Sequence, residues 1–172
     1  MRKVMLMAIM LAAGASLHAQ VQSDFEIVES TNKEEVIYKG SCTFEDLAGV
    51  KAFDLTRKSE KYNPDATTME ALRGKLGDYQ MVIFMGTWCE DSHKLIPELY
   101  SVLKGTGYPL EELQLYALDR DKKGKNGEEQ SYHITNVPTI ILLKDDKETG
   151  RITEVVEKSI ESDLLKIVEK EQ

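Results

Sequence analysis

Apolar and polar positions recur with two different periods along this chain, and each change of period marks an element. Val21 to about Asn32 is polar apart from Phe25-Glu26-Ile27-Val28, a pattern that fits a loose arm or an edge strand. Val36-Ile37-Tyr38, within Glu35 to Gly40, favours a strand that Gly40 ends. Thr43 reads as an N-cap with Asp46 three residues on. The helix it opens would bury Phe44, Leu47, Val50, Ala52 and Leu55, and Asn63-Pro64-Asp65 would stop it. Thr67 or Thr68 then caps a short helix through Met69, Leu72 and Leu76, and Gly77-Asp78 turns the chain.

Met81 to Met85 is a continuous apolar run, which suits a central strand covered on both faces. The stripe of Leu95, Ile96, Leu99, Tyr100, Val102 and Leu103 predicts a helix from about Cys89 to Lys104, which Pro97 should kink. Leu113 to Leu118 alternates as the next strand, and Asp119 to Glu129 is a charged loop. Glu128 to Thr135 fits a short helix ended before Asn136-Val137-Pro138. Thr139 to Leu143 and Ile152 to Val156 read as two further strands joined through Asp145-Asp146-Lys147 and Gly150. Ser159 caps a last helix that turns Leu164, Leu165, Ile167 and Val168 inward. This order predicts an α/β fold, a central mixed sheet with helices on both faces.

The amino end changes the setting. Arg2 and Lys3 precede an apolar run from Val4 to Ala15, followed by small residues, with cleavage expected after Ala19 or, as second choice, Ala15. The run is too short to span a bilayer, so residues 1–19 read as a signal peptide. An exported protein follows, periplasmic or extracellular, with no stable membrane anchor after cleavage. The remaining chain is the size of one domain. A net charge of −8, to which Arg2 and Lys3 contribute positively, argues against nucleic acid or anionic lipid as a partner. Two cysteines, Cys42 and Cys89, are too few for a disulfide-stapled fold. They either pair with each other, or Cys42 is a buried or terminal bystander.

The candidate chemistry is concentrated in Trp88-Cys89-Glu90-Asp91-Ser92-His93, where a strand hands over to a helix. Free backbone N–H groups at a helix start favour a thiolate, the reactive form of cysteine. Glu90 and Asp91 oppose that charge, and His93 or Lys94 offsets them on one side. His93 lies four residues after Cys89, a spacing that invites a metal reading with Asp91 nearby and His133 as a guessed third ligand. A solvated helix histidine is the plainer explanation, and no metal or cofactor is expected.

The chain resembles the thioredoxin superfamily, in particular exported bacterial thioredoxin-like proteins. The resemblance covers roughly Met69 to Lys170. It rests on Trp88-Cys89 after an apolar strand, Pro97 eight residues later, Tyr132-His133-Ile134 and Val137-Pro138-Thr139 beyond, and the Gly150-Arg151-Ile152 hairpin. It implies a thioredoxin-like fold over 67–172, with residues 20–66 an N-terminal extension packed on it. It also implies a cis Pro138 facing Cys89. Two departures stand out. Ser92 replaces the resolving cysteine, and Ile83 replaces a buried aspartate that would serve it. Without a buried thiol to deprotonate, a buried carboxylate would cost stability and serve nothing.

The expectation is therefore thiol–disulfide exchange with one active cysteine: monothiol reduction, isomerisation or trapping of protein or small-molecule thiols and disulfides. Cys89 would be the nucleophile and Ser92 a hydrogen-bond donor to it. Trp88, Val137 and Pro138 would form the docking surface. The alternatives are a non-catalytic peptide-binding module on the same scaffold and, more weakly, a metal-handling site at Cys89 and His93.

Overall fold

Six strands order as β1-β2-β4-β3-β5-β6 in one mixed sheet. The computed structural model describes residues 23–33 and 35–170, so the signal peptide expected over 1–19 lies outside the described residues. The central strand β3, Gln80–Met85, is parallel to β4, Gln114–Ala117, and antiparallel to β5, Thr139–Lys144. Every residue from Met81 to Met85 is fully buried, as a strand covered on both faces requires. Alternate side chains serve two cores. Met81, Ile83 and Met85 enter the larger one, and Val82 and Phe84 the smaller.

The larger core carries most of the helices. These are α1 (Phe44–Ala48), α2 (Leu55–Lys61), α3 (Ala66–Leu72), α4 (Glu90–Thr106) and α6 (Ile160–Glu169). On the other face, covering falls to the single turn of α5, Glu128–Ser131, and the segment after it, from which Tyr132, Ile134 and Val137 pack inward. The helices on both faces are thus very unequal.

Two antiparallel strands lie on the β4 edge. β1, Asp24–Val28, pairs antiparallel with β2, Ile37–Ser41, and β2 pairs with β4 only at Gly40 and Ser41. Gly40, at φ +125, lies against the Asp24 carbonyl where a Cβ would collide. Thr43 and Asp46 close a reciprocal capping box on α1.

Four expectations need correction. The helix from Thr43 is broken: Gly49 ends α1, and α2 starts only after Asp54, which sits at φ 47. The intervening turn buries Val50 and Phe53 while exposing Ala52, so Phe53 (0% exposed) replaces Ala52 in the core. Burying that ring is worth about 3 kcal/mol, more than the few backbone bonds a continuous helix would add. The cap of α3 is Asp65, whose carboxylate accepts from the Thr68 N–H at 2.8 Å, rather than Thr67 or Thr68. That helix stops at Leu72, and Leu76 is buried from a separate turn. The last strand is β6, Lys147–Thr153, not Ile152 to Val156. Asp145 and Asp146, both at positive φ, make a two-residue turn that starts pairing at once from Lys147, and Val155 is left 78% exposed.

Candidate functional site around Cys89

β3 ends at Met85, and Gly86, Thr87 and Trp88 carry the chain to Cys89, the N-cap of α4. Cys89 adopts extended backbone angles and its side chain does not cap the helix. The thiol is free to point elsewhere. It donates to the Val137 carbonyl at 3.3 Å, and the Val137–Pro138 peptide bond is cis. Cys89 and the Val137-Pro138 loop, 48 residues apart in sequence, therefore meet at this point. A carbonyl can only accept, so this bond belongs to the protonated sulfur and is given up when Cys89 ionises. Cys89 is 9% exposed, and Val137 and Pro138 are buried beside it.

Ser92 is completely buried in the first turn of α4. Its Oγ accepts from the Gly86 N–H at 3.2 Å, which ties the helix back to the loop before it. Trp88 is half-buried, its indole N–H donating to the Leu118 carbonyl at 2.9 Å. The ring folds back over Gly86, where a Cβ would come within 2.8 Å of it. Glycine is required there because the indole occupies the space. On the exposed side the Arg120 guanidinium lies 5.1 Å over the Trp88 ring and pairs with Glu35. The Ser30 hydroxyl and that guanidinium hold the Glu35 carboxyl below the usual range against the cost of its burial.

Thr87 is 1% exposed and fully engaged. Its hydroxyl donates to the Val36 carbonyl at 2.7 Å and accepts from the Tyr38 N–H at 3.0 Å. His93 Nε2 lies 2.7 Å from the Thr87 carbonyl, which makes that nitrogen the protonated one. The imidazole also meets the Phe53 ring edge-on at 4.9 Å. These contacts occupy His93 structurally. Among the described residues no group of three or more His, Cys, Asp or Glu is placed to hold a metal ion.

Pro97 lies inside α4 without breaking it. Having no N–H, it leaves the His93 carbonyl without its helical partner. Lys58 of α2 supplies the missing donor at 3.0 Å and also bonds the Ala52 carbonyl. Ile83 is fully buried in the larger core with Leu95, Ile96 and Leu99 of α4, so an apolar side chain fills that position.

Cys42 and Cys89 are both free thiols. Cys42, 1% exposed, belongs to the larger core and Cys89 to the smaller, so the sheet separates them. Burial, with the Asp46 charge adding to it, pushes the Cys42 thiol far up and out of reach of ionisation at neutral pH.

The structure thus brings together Trp88, Cys89, Ser92, Val137 and Pro138. Sequence reasoning missed Gly86 and Thr87. A Gly-Thr pair before Trp-Cys was in view, but its partners lie far along the chain.

A family model described as Thioredoxin matches residues 67–170. No curated protein matches the chain. Among solved structures, a Pseudomonas aeruginosa protein of unknown function is similar at TM-score 0.61 and 16% identity, over 77% of this chain and 94% of that one. An HIV epitope scaffold is similar at TM-score 0.58 and 16% identity, over 76% and 93%. Fasciola hepatica thioredoxin gives TM-score 0.40 and 22% identity, over 56% and 83%.

Proposed function

The chain belongs to the thioredoxin family, and we propose that it carries out thiol–disulfide exchange with Cys89 as its single working sulfur. The observation that supports this best is the meeting of Cys89, at the N-cap of α4, with the cis Val137–Pro138 loop. In the forward step Cys89 loses its proton to solvent and the thiolate attacks one sulfur of a partner disulfide. A Cys89–partner bond forms, the partner's own S–S bond breaks, and the departing thiolate leaves with the electron pair. Ser92 Oγ accepts from Gly86 and the Cys89 thiol bonds to Val137, so the expected Ser92–Cys89 hydrogen bond is not formed while the thiol is protonated.

Ser92 has no sulfur with which to release the partner. An external thiol, on a protein or a small molecule, attacks the partner sulfur of the mixed disulfide and returns Cys89 as a thiolate. Monothiol reduction, isomerisation and trapping are all combinations of these two steps. Of the expected docking residues Trp88 is the half-exposed one, while Val137 and Pro138 are buried and would offer a partner only the Val137 carbonyl that Cys89 gives up on ionising. The leader-like pattern of residues 1–19 supports a periplasmic or extracellular setting, and residues 20–66 an extension to the family domain.

The low exposure of Cys89 favours one second reading, a non-catalytic module that holds peptides in the same groove. Non-reducing capture from the native compartment, with Cys89→Ala alongside, separates the two. Partners linked through Cys89 support exchange. Partners that bind equally well to Cys89→Ala, with no covalent link in either protein, support the module.

A further inference from the structure

The family match begins at residue 67, yet the loop that carries Cys89 is gripped by residues before it. Beyond its short pairing with β4, β2 has no neighbouring strand on that side among the described residues, and the Val36 carbonyl and Tyr38 N–H turn instead to the Thr87 hydroxyl. One side chain thereby acts as a rung of the sheet, donor and acceptor both filled. Glu35 reaches over the same loop to hold Arg120 against the Trp88 ring. Thr87 and Trp88 are the two residues immediately before Cys89; Thr87 is tied to the extension directly, and Trp88 only through Arg120. From the α1–α2 turn, Phe53 backs the imidazole of His93, whose Nε2–H holds the Thr87 carbonyl. The segment from Glu35 to Lys58 thus backs the loop and first turn of α4 on either side of Cys89.

We propose that Thr87 is a positioning residue for Cys89, and that through it the N-terminal extension sets how far the thiol is exposed. The inference rests on Cys89 being the working sulfur. Its geometry is read by Cys89 accessibility and by Trp88, the only tryptophan in the chain. Neither readout needs a client.

The test uses the full chain and three variants, Thr87→Val, Thr87→Ser and Glu35→Gln. In Thr87→Val the Val36 carbonyl and Tyr38 N–H lose their shared partner. Alkylation of Cys89 by a small reagent is expected to speed up by about ten- to a hundredfold, as loss of these two hydrogen bonds does to a local opening equilibrium. Trp88 emission is expected to move to the red. Thr87→Ser keeps the hydroxyl and should restore both values, which a packing role for the methyl group would not do. Glu35→Gln should shift Trp88 emission and leave Cys42 protected.

Unchanged alkylation and emission in Thr87→Val overturn the proposal, as does failure of Thr87→Ser to restore them. Should Thr87→Val also expose Cys42, the chain has opened globally, and Glu35→Gln decides: an unshifted Trp88 emission overturns the proposal. Absence of mixed disulfides with the Thr87→Val effect intact would sink exchange and leave the positioning role standing.

Discussion

Ser92 uses its acceptor capacity on the Gly86 N–H, a bond that fastens the start of α4 to the loop before it. Changing it to cysteine adds a sulfur one turn from Cys89 at little change in volume. We expect Ser92→Cys to close a disulfide between Cys89 and the introduced sulfur under mild oxidation, removing both thiols from alkylation. The same variant should release mixed disulfides without external thiol. Partner adducts that persist equally in Ser92→Cys and the natural chain would contradict this. The residues of that chemistry were legible in the sequence because they are contiguous or carried by a short motif. Gly86 and Thr87 were not. Gly86 is fixed by the indole lying over it, and Thr87 by backbone groups 49 and 51 positions away. Only the folded chain brings those partners within reach.

At the scale of elements, α2 and α4 are joined by a consequence of proline. Pro97 frees the His93 carbonyl and Lys58 bonds it, with burial pulling that lysine's affinity for its proton below the usual range. Lys58→Met keeps most of the stem and removes the donor. We expect denaturant unfolding to show a loss of about 1–3 kcal/mol, the cost of a half-buried carbonyl left unpaired. A change within the error of the measurement would mean that water replaces the lysine.

A second tie holds α2 and α3 to α6 through Glu161, 3% exposed, which accepts from the Tyr62 hydroxyl at 2.6 Å and the Asp65 N–H at 3.1 Å. Burial raises its affinity for a proton, but these bonds outweigh it and the carboxyl sits below its usual range. A depressed folded value means that Glu161 contributes stability in full above the ordinary carboxylate range of about 4.3. That contribution is lost as the pH falls through the folded value. Stability measured against pH should therefore fall more steeply below about pH 4 in the natural chain than in Glu161→Gln. Parallel curves would show that other carboxylates carry the acid response.

Strong periodic stripes such as that of α4 were readable in sequence. The break after α1 was not, because Phe53 gains more by entering the core than the pattern around Ala52 discloses. The start of β6 was hidden for a related reason. Its pairing is set by the Asp145-Asp146 turn, while its one fully inward side chain, Ile152, comes near the end.

Over the whole molecule, one sheet divides two cores and the two thiols with them. The larger core, with Cys42, carries five helices; the smaller, with Cys89, carries the site. Sequence order predicted the sheet and its helices, but not their unequal division between the faces, since the charged loop from Asp119 gave no sign of how little helix it would supply. With Cys42 1% exposed and Cys89 9%, the proposed exchange would fall to Cys89 alone while the fold is intact. Its test is to incubate the natural chain with oxidised glutathione and follow the intact mass and the labelled site. We expect one adduct, on Cys89 and not Cys42, that persists until an external thiol is added. No adduct at Cys89, or one that the chain releases by itself, would contradict single-cysteine exchange.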